Sequence, residues 1–503
     1  MGAGQGLSLA VELMEMILED AHVCDVLRCR QLSKTICELI DNSPSLQYRI
    51  ELLLSGMEDT GFNDQTVSEN REILREYLSR WTTLRPDVLV HTELPLGEDP
   101  VWTIKGDLFC QVLSSKIDIT LLPSRIRDAP SQRWSSQRWS LPMVDSYAFE
   151  VDVSQDLVLF QYREGNGFCI KALSLSSGEK HPGSTCDAIV IETSHLEGID
   201  ELTTKLVVLK DEVLVGVYPM ISTTCVSLSI VDWRTGATIW TLAQTEFTSF
   251  LFLDDAHILT SSINRRPYAP KISIINFRIS HCPTISLLFP NFLRPVYEIQ
   301  LTAGQTPPST TVLRKRTTYP FQITTSDKIF TLAVFGNSRS LPHFVVPSWV
   351  LKREIVRIRQ EMSSASEEEV VVPWNSWGPR GTAFFPDISR TLFADSSLSA
   401  SGMIYITKEA GSIVLYDFNR FALRRDASLG ETDVSIIGSS PHEVDSALFK
   451  EPITTRLLWR KFVTQLKVDA DAQFGVVHDS FLMCHGMRRI FQGGRRRLEV
   501  ISF

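Results

Sequence analysis

"DEVLVGVYPMISTTCVSLSIVDWRTGATIW" (Asp211–Trp240) is the stretch whose reading decides the fold. Its uncharged part, Val213–Val231, has the length of a membrane-spanning helix. Pro219, the Ser/Thr run at 222–224, Ser227 and Ser229 argue instead for two strands and a turn. Asp232-Trp233, a Thr235-Gly236 turn and a return strand follow. The same unit of polar turn, strand, second turn and second strand recurs along the chain. It is seen in "GDLFCQVLSSKIDITLLPS" (Gly106–Ser124), "DLVLFQYREGNGFCIKALSLSSGE" (Asp156–Glu179) and "DAHILTSSINRRPYAPKISIINF" (Asp255–Phe277). Further copies are "SDKIFTLAVF" (Ser326–Phe335), "GMIYITKEAGSIVLYDFN" (Gly402–Asn419) and "DSFLMCHGMRRIFQGGRRRLEVISF" (Asp479–Phe503). Insertions lengthen these copies beyond an ordinary repeat.

A long array of antiparallel units hides its strand edges by closing radially. The predicted fold is therefore mainly β with a small all-α N-terminal module. An irregular β-propeller of about six or seven blades would span residues 95–503. A pair of stacked sheets is the competing architecture, and 503 residues are too many for it. The final strand, "LEVISF", is expected to complete an early blade and close the ring. "SWVLKREIVRIRQEMSSASEEE" (Ser348–Glu369) interrupts the strand pattern with a helix and an acidic, serine-rich loop. Near 348–370 the sequence thus predicts an insertion. Ser363, Ser364, Ser366, Glu367, Glu368 and Glu369 are expected in an exposed, mobile loop. The tandem "SQRWSSQRWS" (Ser131–Ser140) reads as a surface-loop duplication.

Residues 6–55 have a different period. In "LAVELMEMILE" (Leu9–Glu19), Glu12, Glu15 and Glu19 make one polar stripe on a helix that is otherwise apolar, which calls for burial on more than one side. Asp25 is a candidate cap for a second helix and Ser33 for a third. Ser43, with Pro44 at the first helical position and Gly56 past the end, frames a fourth. So small a module buries its own surface poorly, so the strand domain or another protein must cover it. Residues 56–94 read as a linker with one amphipathic helix. Thr66 and Glu69 form a capping box, and Ile73, Leu74, Tyr77, Leu78, Trp81 and Leu84 form one packing stripe.

The net charge of −9 argues against a broad nucleic-acid or anionic-membrane surface. No secretory leader and no Asn-x-Ser/Thr acceptor is read, and nine cysteines show no paired spacing. These features fit a reducing compartment, cytoplasmic and/or nuclear.

"LAVELMEMILEDAHVCDVLRCRQLSKTICELIDNSPSLQYRIEL" resembles an F-box. Leu9, Glu12 and Leu13 match that family's first element, and Asp25, Val26 and Leu27 its second. Leu32, Ser33, Lys34 and Ile36 match the third, and Leu39-Ile40-Asp41 the last. Ala10 stands where the family usually has Pro, and Ala21 where Leu is usual. The resemblance extends in patches through "IDITLLPSR", "LSLSSGEKHP", "VDWRTG", "VPWNSWGPRGTAFFP" and "IVLYDFNR", which are similar to F-box proteins abundant in mushroom-forming fungi. It implies a substrate-recognition adaptor of a Skp1–cullin–F-box ubiquitin ligase. Leu9, Leu13, Ile17, Leu18, Asp25, Val26, Leu27, Leu32, Ser33 and Ile36 would bind a Skp1-like adaptor and so the cullin scaffold. The propeller would bind a protein substrate that the sequence does not identify. Neither nucleic acid nor membrane is an expected partner.

No catalytic motif emerges. There is no P-loop, no G-x-S-x-G elbow and no His-Glu-x-x-His, since His442-Glu443 lacks the second histidine. Cys24, Cys29 and Cys37 have the wrong spacing for zinc. "DADAQF" (Asp469–Phe474) lacks the glycine and glutamate of a calcium loop. "RRIFQGGRRR" (Arg488–Arg497) reads as a solvated hairpin around Gly493-Gly494, with phosphate binding or an import signal as the alternatives. No enzyme activity, cofactor or metal is expected. A scaffold not coupled to a ligase, and a propeller with a small-molecule or glycan site, are the alternative readings.

Overall fold

The computed structural model describes residues 9–502 apart from 62–64, 84–89, 96–100, 106–107, 114–115, 123–131, 136–147, 153–154, 166, 194–201, 220–221, 223, 266–267, 280, 304–319, 325–326, 337–340, 362–367, 389–399, 410, 430–441, 445–447, 468–472, 478–479 and 486–496. Among the described residues, strand pairing builds a propeller of seven blades: six four-stranded sheets and one of five strands. In chain order, the first three blades start from Val101–Lys105, Ala148–Asp152 and Leu202–Leu209. The next four start from Ser249–Phe252, Val296–Ala303, Ala400–Ser401 and Gln473–Val477. These are the innermost strands. Each blade then runs outward through antiparallel neighbours, apart from the added outermost strand of the five-stranded sheet. The inner strands of successive blades lie against one another from the first to the fifth blade, and those of the sixth and seventh touch.

The ring closes between the two ends of the domain. Val90–Pro95 is the outer strand of blade 7, antiparallel to Arg497–Ser502, with Val90 opposite Ser502 and Pro95 opposite Arg497. Closure was expected of the last strand. The completed blade is the last one rather than an early one, and the closing strand comes from the stretch read as linker. Joining the two termini removes the open edges a linear array would leave.

Every repeat unit read from the sequence is the centre of a blade. In blade 3, Glu212–Pro219 and Cys225–Asp232 are the second and third strands. Asp232 Oδ1 accepts from the Arg234 amide at 2.7 Å, and Gly236 has φ +76°, which suits glycine. Trp233 is buried, and its indole N–H donates to the Lys210 carbonyl at 3.0 Å. Its backbone N–H reaches the Asp211 carbonyl. The same return bond joins Leu175 to Asp156, Phe277 to Ala256, Ser348 to Lys328 and Phe418 to Met403. One corner, repeated blade by blade, locks the end of the third strand onto the turn before the second.

The largest core cluster lies between blades 4 and 5 and includes Leu259, Ile274, Phe330, Phe344 and Trp377. The helical insertion belongs to it. Helices α1–α5 are Val11–Asp20, Val23–Cys29, Lys34–Asn42, Pro44–Ser55 and Val67–Thr83, and α6–α8 are Ser348–Glu361, Trp374–Gly381 and Arg420–Leu429. Val350, Leu351, Ile355 and Ile358 of α6 are buried in the blade 4–5 core. Glu369 corrects the expected mobile loop. It begins a strand, Glu369–Val372, that adds in parallel to the outer edge of blade 4, and Lys271 Nζ meets its Oε1 at 3.0 Å. Ser363, Ser364, Ser366 and Glu367 lie outside the described residues. In the tandem repeat, Gln132–Ser135 is the outer strand of blade 1 rather than a loop. The second copy is outside the described residues, as are residues 488–496 and 469–472.

Candidate partner-binding surface

The helical module is fastened to the propeller through α4. This helix packs against α1, α2 and α3 and also against α5, α8 and the short strand Met57–Asp59. That strand pairs antiparallel with Phe321–Ile323, from the connection between the first two strands of blade 5. Tyr48 donates to the Pro320 carbonyl at 3.3 Å, and burial pushes its phenol up. Tyr77 of α5 meets Phe321 edge-on, with ring centres 5.5 Å apart. Burial pushes the Glu51 carboxyl up, but hydrogen bonds from Arg71 and Arg75 outweigh it and leave the carboxyl below its ordinary value. Those bonds tie α4 to α5, whose capping box between Thr66 and Glu69 forms as the sequence predicts.

The sequence placed most helix ends correctly. Ser33 Oγ accepts from the Ile36 amide at 3.2 Å and Ser43 Oγ from Leu46 at 3.4 Å. Gly56 ends α4 with φ +68°. One cap is corrected: α2 begins at Val23, and His22 Nδ1, not Asp25, accepts from the Cys24 amide. Asp25 sits in the first turn, pairs with Arg28 and is exposed. On α4, Arg49 reaches the last carbonyls of α1, including Ala21 at 2.7 Å. Arg30 grips Asp41 through both carboxylate oxygens at 2.7 and 2.8 Å, and this pairing holds the Asp41 carboxyl below its usual value.

These bonds fix α1 with one side inward. Leu18 is its buried residue. Leu9, Leu13, Met16 and Ile17 are exposed, at 44, 49, 61 and 57% of their full surface. Leu13, Met16 and Ile17 follow the i, i+3, i+4 spacing of a single face, and Leu9 lies just before the helix, ahead of the extended Ala10. Glu12, Glu15 and Glu19 line the face beside it. Leu32, in the turn between α2 and α3, is 72% exposed. The expected burial of α1 on more than one side is therefore corrected within this chain: one side is covered and an apolar stripe is bare.

The ten residues assigned to the partner surface divide accordingly. Leu9, Leu13, Ile17 and Leu32 are available to a partner. Leu27 and Ile36 are half-buried against the module's own core. Leu18 and Val26 are inside that core and cannot serve as direct contacts, because α4 supplies Leu46 and Ile50 against them. Asp25 and Ser33 are exposed, but the Asp25 carboxylate is paired with Arg28 and the Ser33 hydroxyl is engaged as a cap. Met16 was missed as a candidate. Its position in the same stripe was the available signal. Among the described residues, no group of three or more His, Cys, Asp or Glu could hold a metal ion. No described helix is long and apolar enough to cross a membrane.

No family model matches the chain, and no curated protein matches it. Among solved structures it is similar to BamB from Moraxella catarrhalis, at 12% identity and TM-score 0.31 over 83% of this chain and 100% of that one. It is also similar to the WD40 domain of Toxoplasma gondii coronin, at 7% identity and TM-score 0.34 over 82% and 86% of the two chains. The Dos1 propeller aligns at 10% identity and TM-score 0.35 over 78% and 75%. The fold assignment rests on the strand pairing described above.

Proposed function

We propose that this chain is a substrate-recognition adaptor of a Skp1–cullin–F-box ubiquitin ligase. The observation that carries the reading is the bare stripe of Leu13, Met16 and Ile17, with the exposed Leu9 just ahead of it, on a module whose α4 is fastened to the propeller. Exposed apolar side chains in a row on one helix face mark a surface that another protein covers. The F-box resemblance of the same residues names that protein as Skp1-like. The chemistry is positioning: the propeller holds a target whose lysine is brought near a thioester carried by another subunit, which raises its effective concentration.

The contacts that fasten the module to the propeller support this role. A target held by the blades keeps a fixed orientation to whatever covers α1. The test is affinity purification of the full chain followed by mass spectrometry. Recovery of a Skp1-like protein together with a cullin is the expected result. Recovery of propeller-bound proteins with neither would leave an interaction scaffold without ligase coupling.

A further inference from the structure

Trp349 and Arg420 meet where blades 5 and 6 adjoin. Trp349, in the first turn of α6, packs against the cores on both sides of blade 5. Arg420 opens α8, and its guanidinium lies over the Trp349 ring, 5.6 Å from the centre, and over Phe421 at 4.7 Å. Arg353 lies over the same indole at 5.7 Å. Two cations thus share one aromatic ring. Arg353 is met by the Glu354 carboxylate at 3.3 Å. Arg420 has no carboxylate partner among the described residues.

Two donors in this cluster are buried and unmet. Trp349 Nε1 and Arg420 Nε both lie inside the protein with no hydrogen-bond acceptor among the described residues. Neither atom can accept, so they cannot satisfy each other. A buried N–H without an acceptor is costly, and more so on a charged group. The amides that start α8 are already engaged, since Asn419 Oδ1 accepts from Phe421 and Ala422. Among the described residues, no carboxylate accepts from these two donors, since Glu354 is taken up by Arg353 and Arg357.

We propose that Trp349 and Arg420 form a binding site for an oxyanion, a phosphate or carboxylate group, at the junction of blades 5 and 6. One such group would accept from the indole and guanidinium N–H together and neutralise the second cation over the ring. A water molecule could accept from both donors but would leave the guanidinium charge unbalanced. The neighbouring residue, Asn419, holds the end of α4, so the site lies one residue from the contact that fastens the module.

The experiment is thermal unfolding of the full chain in rising inorganic phosphate, in rising acetate and in chloride at matched ionic strength. Binding to the folded state raises Tm in step with the logarithm of free ligand. The expected result is such a rise with phosphate or acetate beyond that with chloride, and which of the two acts identifies the group preferred. Arg420→Gln should abolish the rise. Trp349→Phe keeps the ring but removes the N–H, so it should weaken the rise while leaving a folded protein. Equal shifts in all three salts, or a phosphate response unchanged in Trp349→Phe and Arg420→Gln, would overturn the proposal.

Discussion

Asn419 donates from its side-chain nitrogen to the carbonyl oxygen of Leu54 at 2.9 Å, joining blade 6 to the last turn of α4 across 365 positions of sequence. A second bond reaches the Leu53 carbonyl at 3.2 Å. The last carbonyls of a helix have no partner within it, so these bonds satisfy groups that would otherwise be lost to the interface. Asn419 also caps α8. Asn419→Ala should lower stability by about 1–3 kcal/mol, with the loss concentrated at the module. Hydrogen exchange should speed up in α4 and α8 before it does in blades 1–3. Uniform acceleration throughout the chain would show that Asn419 is not a local fastener.

Gly216 is packed in the seam between blades 3 and 4. A Cβ there would lie 2.0 Å from Phe250 Cε1, and Phe250 is itself buried and stacked on Tyr218. Gly216→Ala should therefore destabilise by about 1–3 kcal/mol through overpacking. Phe250→Leu should recover part of that loss in the double variant, because the two positions share one space. Strict additivity of the two costs in chemical denaturation would contradict this packing.

His343 and Tyr405 bridge blades 5 and 6, with Nδ1 and hydroxyl 2.9 Å apart and both side chains buried. Burial pushes the imidazole down to about 4 from an ordinary 6.5. The unfolded chain takes up this proton near pH 6.5 and the folded chain only near pH 4. The folded state is thus favoured fully above pH 6.5, and that advantage shrinks as pH falls towards 4. The group's share is about 3 kcal/mol across that window. Denaturation midpoints at pH 7 and pH 5 give the check, with His343→Gln expected to flatten the difference. An equal pH response in the variant would assign the effect to other groups.

The sequence revealed the centres of the blades and missed their margins. Asp211–Trp240 and its counterparts are the paired second and third strands, apolar on both faces and joined by short turns, so their period is plain. The inner strand Ala400–Ser401 is too short to show a period. The outer strand of blade 1 carries Gln, Arg, Trp and Ser and looks like a loop. Val90–Pro95 pairs with residues over 400 positions away, and only long-range pairing shows that it is a strand. In the module, the caps at Ser33, Ser43 and Gly56 were legible because their chemistry is local. Burial was not. Leu18 and Ile17 are adjacent and equally apolar, yet one faces the module core and the other faces outward. Arg49 of α4, reaching the end of α1, helps set that orientation.

Ala10 precedes α1 with φ −58° and ψ 145°, within the range a proline ring imposes. Ala10→Pro should fit without strain and stabilise the module by up to about 1 kcal/mol by restricting the unfolded chain. Loss of α1 helicity in this variant, read by circular dichroism of the full chain, would show that the start of the helix needs the alanine.

The central claim is that the stripe on α1 receives a Skp1-like protein, and a calorimetric titration of purified Skp1 into wild type and Leu13→Asp tests it most directly. Leu13 is exposed, so the variant should fold with an unchanged melting temperature. A charge placed in an apolar contact that loses its water should cost binding several kcal/mol. Leu27→Asp is a poorer probe, because Leu27 also packs against the module's own core. The account predicts saturable binding by wild type, retained by Ala10→Pro and abolished in Leu13→Asp. Absence of binding by both wild type and Ala10→Pro, or equal binding by Leu13→Asp, would contradict it.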